Sequence, residues 1–201
     1  MAAEFDVVVV GASAGGVEAL RQLAGSLAAD YGGAILVVLH TSRESPGVLP
    51  GILGRAGPLP ADHGKEGEPI VGGRIYVARP DRHLLVADGR IDVSKDPPEQ
   101  GHRPAIDPLF RSAAAAYGPR TIGIVLSGVL RDGTAGLAAV VAGGGVALVQ
   151  DPEDALYPMM PRSALAAAPG ATAVLAASIG PTLGRLASRP AAGRGLPTGT
   201  A

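Results

Sequence analysis

Four short apolar runs, at residues 6–10, 34–39, 121–126 and 145–149, constrain this chain more than any other feature. Each is rich in Val, Ile or Leu and is bounded by Gly or polar residues. Continuous apolar runs of this length read as strands buried on both faces, which is the situation of a parallel sheet covered by helices. Helix-like stretches lie between them. Residues 17–29 (VEALRQLAGSLAA) place Leu20, Leu23, Ala24 and Leu27 on one face, and residues 106–117 and 135–142 are also helical in pattern. Strand alternating with helix predicts an α/β fold: a doubly wound, mostly parallel sheet with helices on both faces. Residues 70–93 break the pattern, with short strands punctuated at Val71-Gly72-Gly73, Arg79-Pro80-Asp81 and Ala87-Asp88-Gly89, and predict a β-hairpin excursion. Aromatic residues are only 3% of the chain, so the core must be built from Val, Leu, Ile and Ala.

The 201 residues suit one domain, expected over 1–187, with a disordered tail over 188–201 where there is little to bury. A net charge of −1 gives no basis for broad attraction to nucleic acid or acidic lipid. The absence of cysteine removes disulfides, a thiolate nucleophile and Cys-ligated metal. The N-terminal MAAEFDVVVVGAS has no basic region followed by a long apolar one, and no apolar run approaches the roughly 20 residues needed to span a bilayer. The expectation is a cytoplasmic protein without membrane insertion.

The first strand runs straight into Gly11-Ala12-Ser13-Ala14-Gly15-Gly16, followed by a helix. This is the G-x-S-x-G pattern in a strand–turn–helix setting, where a nucleophilic serine projects from a tight, strained turn and the helix N-terminus favours an oxyanion. The alternative is a dinucleotide-binding loop, whose central glycine is replaced here by Ser13. Taken alone, the motif leaves both open.

A serine hydroxyl needs a base. Of the four histidines, His40 ends the second apolar run, so parallel pairing of the first two strands would bring it beside Ser13. His63 lies in a polar, Gly-rich stretch and reads as solvated; His83 reads as structural or as a site rim; His102 opens a loop before a helix and could line the site. Asp132 follows the third run in Ser127-Gly128-Val129-Leu130-Arg131-Asp132-Gly133, where it could orient a histidine, cap the following helix, or both.

Together these segments resemble the catalytic domain of the bacterial chemotaxis protein-glutamate methylesterase/glutaminase family (the CheB type). The G-x-S-x-G-G elbow, the strand-end His40 and the Leu126-to-Gly133 segment are similar to its motifs, as are His102-Arg103-Pro104-Ala105-Ile106-Asp107-Pro108-Leu109-Phe110-Arg111-Ser112, Ile75-Tyr76-Val77-Ala78-Arg79-Pro80-Asp81-Arg82-His83 and Pro161-Arg162-Ser163-Ala164. Val129 and Leu130 stand where the family usually has Met and often Gly, and Thr41-Ser42 replaces Met-Pro after His40. The resemblance implies Ser13 as nucleophile, His40 as base and Asp132 as its orienter, with backbone amides at Ala14 and Val129 serving the oxyanion. It implies demethylation of glutamyl methyl esters, and deamidation of glutamines, on the cytoplasmic helices of chemoreceptors, with no cofactor or metal required. Arg103 and Arg131 are candidates for contacting the acidic receptor surface. Because the chain starts almost at its first strand, the expectation is a domain without a receiver domain, either a free-standing paralogue or one regulated by a separate protein, with an excised domain as the alternative. An esterase or amidase acting on another substrate, or a binding module of the same fold, remain alternatives.

Overall fold

The computed structural model describes residues 6–187, so the tail expected at 188–201 lies outside the described residues. The apolar runs become β1 (Val7–Ala12), β2 (Ala34–Leu39), β7 (Thr121–Val125) and β8 (Val146–Gln150). With β3 (Ala61–His63), β4 (Arg74–Val77) and β9 (Thr172–Val174) they form one sheet of order β3-β4-β2-β1-β7-β8-β9, parallel at every pairing. The hairpin of β5 (His83–Ala87) and β6 (Arg90–Ser94) is separate and antiparallel. Residues 70–93 thus divide. The strand Arg74–Val77 joins the main sheet beside β2, and the hairpin occupies 83–94.

The helices are α1 (Gly16–Ser26), α2 (Leu49–Ala56), α3 (Ile106–Tyr117), α4 (Thr134–Ala142), α5 (Met159–Ala167) and α6 (Ile179–Ala187). They divide between the two faces because side chains alternate along each strand. Val8, Val10, Ile35, Val37, Ile122 and Ile124 pack with Leu20, Leu23, Leu53 and Leu183 of α1, α2 and α6. Val7, Val9, Leu36, Val38 and Val149 face the other way, onto Ile106, Phe110, Leu137 and Met160 of α3, α4 and α5, with Leu84, Val86 and Ile91 of the hairpin. All six residues of β1 are buried. Each buried Val or Leu contributes roughly 1.5–3 kcal/mol, so no polar side chain is tolerated along β1 until the strand ends.

The strand order reverses at β1. From there the chain moves outward to β2 and β4, returns through α3, and continues through β7 to β9. At such a switch point the crevice opens beyond the carboxyl ends of the strands. Register sets what meets there: Gly11 lies level with Val38 on one side and Val125 on the other. The residues following β1, β2 and β7 therefore share one edge.

Candidate active site

Ser13 is the first residue past β1. The ladder runs one step further than the strands: His40 N–H donates to Ala12 O at 3.0 Å, and Ser13 N–H donates to Ser127 O at 2.9 Å. The elbow is closed by Gly16 N–H donating to Ser13 O at 2.9 Å. Its left-handed residue is Gly15, φ 73°, rather than the serine, so the strain expected of the turn falls two residues beyond Ser13. Ser127 ties the elbow to two neighbouring loops. Its Oγ–H donates to Ala14 O at 2.8 Å, and the same oxygen accepts from Tyr157 N–H at 3.0 Å. Gly128 is packed so closely that a Cβ there would overlap Met160 Sδ and stand 2.9 Å from Ser13 Cβ.

His40 bridges the other two groups. Ser13 Oγ lies 3.2 Å from His40 Nδ1, and His40 Nε2 lies 2.7 Å from Asp132 Oδ2. A carboxylate only accepts, so Nε2 carries the proton toward Asp132 and the Nδ1 lone pair faces the serine hydroxyl. The ring thus presents Nδ1 to serine, the reverse of the serine protease arrangement. The side chains of His40 and Asp132 are 5% and 0% exposed, so the pair is shielded from water.

Asp132 does more than meet His40. Its Oδ2 also accepts from Ile106 N–H at 2.7 Å, and its Oδ1 accepts from Asp107 N–H at 3.0 Å and Gly133 N–H at 2.9 Å. Burial pushes this carboxyl up, but the hydrogen bonds from His40, Ile106 and Asp107 outweigh it and hold Asp132 below the usual carboxylate range. The helix it caps is α3, which precedes it in sequence, and not α4, the following helix, as sequence order suggests. The N-cap of α4 is Gly133. Asp107 of α3 returns the service: its Oδ1 accepts from Gly136 N–H in the first turn of α4 at 2.6 Å. Burial raises the Asp107 carboxyl above its usual range, against the lowering effect of that bond.

Among the described residues no acceptor takes the amide N–H of Ala14 or Val129. Val129 and Leu130 are exposed. Arg131 is also exposed and forms no ion pair among the described residues. Arg103 is held away from such a role. Its Nε and Nη2 donate to Asp81 Oδ1 at 3.0 and 2.7 Å, and its Nη1 donates to the carbonyls of Lys95 and Asp96. His102 lies flat against His40, ring centroids 3.7 Å apart and planes within 6°. Sequence makes it a residue that could line the site, and only the fold shows the stack. His63 is not simply solvated: it sits on β3 with Nδ1 3.2 Å from Val77 O and Nε2 2.9 Å from Gly47 O. His83 is buried, its Nε2 3.3 Å from Pro97 O and its Nδ1 accepting from Ala105 N–H at the start of α3. No cluster of metal-ligating side chains occurs among the described residues. An apolar cleft of about 170 Å³, lined by Val17, Leu39, Thr41, Val48 and Ile52, opens beside the His40 loop.

The model of the CheB methylesterase family matches residues 8–183. The putative protein-glutamate methylesterase/protein-glutamine glutaminase of Leptospira interrogans is 36% identical over 164 residues, covering 81% of this chain and 85% of that protein. Protein-glutamate methylesterase/protein-glutamine glutaminase 1 of Paramagnetospirillum magneticum is 35% identical over 189 residues, covering 92% of this chain and 50% of that protein. The chain spans about half the length of several such relatives. The crystal structure of the Thermotoga maritima CheB methylesterase catalytic domain superposes with a TM-score of 0.84 at 28% identity, covering 90% of this chain and 98% of that one. With the family model matched over nearly the whole described length and the same fold in a solved catalytic domain, the chain belongs to the CheB methylesterase family.

Proposed function

We propose that this protein is a serine hydrolase that removes methyl groups from glutamate methyl esters on the cytoplasmic helices of chemoreceptors, and deamidates glutamines at such positions, acting in the cytoplasm. The observation that carries the reading is the chain of contacts Ser13 Oγ, His40 Nδ1, His40 Nε2, Asp132 Oδ2, at 3.2 and 2.7 Å. The names of the relatives supply the substrate class. Among the described residues no helix is long and apolar enough to cross a membrane.

Ser13 Oγ attacks the ester carbonyl carbon as its proton passes to His40 Nδ1, and Asp132 steadies the imidazolium that results. The carbonyl π pair moves onto oxygen, where the amides of Ala14 and Val129 donate to it. Collapse of the tetrahedral species breaks the C–OCH₃ bond, and the proton on Nδ1 goes to the departing oxygen as methanol. Water then attacks the glutamyl-serine ester with His40 again as base, releasing the glutamate carboxylate and restoring the Ser13 hydroxyl. With glutamine the leaving group is ammonia. Arg131 is free to meet an acidic helix surface, whereas Arg103 serves as a brace between the Asp81 turn and the strand-end loop.

Methanol release from a methylated chemoreceptor cytoplasmic fragment tests this, with Ser13→Ala as control. Release that disappears in Ser13→Ala supports the reading. No release, with Ser13 still labelled by a fluorophosphonate, assigns the site to another ester or amide. Absence of labelling overturns the Ser13–His40–Asp132 assignment.

A further inference from the structure

The two hydrogen bonds of His40 run along opposite edges of its ring, and such bonds tolerate wide angles. They fix where the ring lies but restrain its tilt weakly. The Ser13 contact at 3.2 Å is already long, so a small tilt breaks it. What closes off that motion is the face of His102, parallel to within 6° at a centroid distance of 3.7 Å.

We infer that His102 is a positioning residue: its ring, stacked on His40, fixes the plane in which His40 meets both Ser13 and Asp132, and shares the positive charge His40 acquires when it takes the serine proton. The inference rests on the catalytic reading of those three residues.

The backbone that presents His102 is pinned on several sides. Glu99 and His102 exchange backbone hydrogen bonds at 3.1 and 2.9 Å across a tight turn in which Gln100 and Gly101 both have positive φ, 49° and 82°. Arg111 grips the Glu99 carboxylate with two bonds of 2.8 and 2.7 Å. Gln100 Nε2 donates to Asp107 Oδ2 at 2.7 Å, and Arg103 ties the far side to Asp81. A loop built only to link a hairpin to a helix has no need of four such anchors. The stack suits a neutral partner, because a flat neutral ring over an imidazolium is attractive and a second cation there repels. Burial and the neighbouring His40 hold His102 below the usual histidine range, against the opposite pull of Asp132. The charged groups around the pair are Asp132 at the His40 edge, Glu99 on the turn with Arg111 of α3, Asp107 on α3, and Arg103 with Asp81.

The test compares His102→Ala and His102→Phe with the parent protein, reading fluorophosphonate labelling of Ser13 together with kcat and KM for the methyl ester across pH. In His102→Ala, labelling and kcat fall by about 10- to 100-fold with KM unchanged, the loss expected when a reacting group drifts by about 1 Å. In His102→Phe the flat ring restores most of the rate. Parental rates in His102→Ala overturn the inference. So does a Phe variant as slow as Ala. If the parent protein is not labelled at all, the underlying assignment of Ser13 falls and the inference with it. Labelling that is unaffected by His102→Ala removes only the inference.

Discussion

Asp132 joins two contacts in one carboxylate, the hydrogen bond to His40 and the closing of the N-terminus of α3. Both depend on its negative charge. Asp132→Asn keeps the shape but can present an N–H₂ group where His40 Nε2–H needs an acceptor, so kcat is expected to fall by about 10³- to 10⁴-fold, the scale seen in the serine protease template. The same charge links stability to pH. The folded-state pKa of Asp132 lies below its ordinary value of 3.8, so its stabilisation is complete above that value and is lost as pH falls through the folded pKa. Urea midpoints measured from neutral pH down through this range should drop more steeply for the parent than for Asp132→Asn. Gly128 carries a different constraint, space instead of charge. A methyl group there must push Met160 or Ser13 itself, so Gly128→Ala is expected to cost about 1–3 kcal/mol and to slow labelling of Ser13. A thermal melt and the labelling rate check both halves. These residues were legible in sequence to different degrees. Ser13 and His40 stand at the ends of evident strands, and Asp132 in a glycine-bounded loop. Nothing along the chain says that His102 will lie on His40, because that contact comes from two loops meeting across the strand edge.

Helices α3 and α4 are locked by an exchange of caps, Asp132 beside α4 closing α3 and Asp107 of α3 closing α4. The loop before α4 therefore closes α3, and the first turn of α3 closes α4. Asp107→Ala removes the acceptor for Gly136 N–H and the anchor for Gln100, and is expected to cost about 1–2 kcal/mol in chemical denaturation. Because the partners lie far apart in sequence, a local capping rule misassigns Asp132 to the helix that follows it. Other elements escaped the sequence for a simpler reason. β3 and β9 are three residues each and half-exposed, too short for a periodic signal, and α5 begins with Met-Met-Pro, a poor advertisement for a helix. β4 was visible as a strand but not as a partner of β2, since pairing is decided by the crossover through α2 and not by residues 74–77 themselves.

Across the whole molecule, the alternation of apolar runs and helices was enough to expect a doubly wound sheet, because strands buried on both faces leave no other way to cover them. The hairpin is an addition to that frame, braced against it by Leu84, Val86 and Ile91 on α3 and by the Arg103–Asp81 pair. Arg103→Ala should raise hydrogen exchange across residues 95–103 while the amides of β1, β2 and β7 stay protected, which mass spectrometry can resolve. The order of the sheet also governs when the groups around Ser13 come together. Ser13 sits near the start of the chain, yet its partner carboxylate follows β7, the strand that pairs with β1 from the opposite side. During synthesis the serine emerges early and waits as an ordinary alcohol while β2, β4 and the hairpin are made, and it gains its full set of partners only when β7 has docked. A chain that ends before β7 therefore presents Ser13 without the carboxylate that His40 hydrogen-bonds in the finished fold.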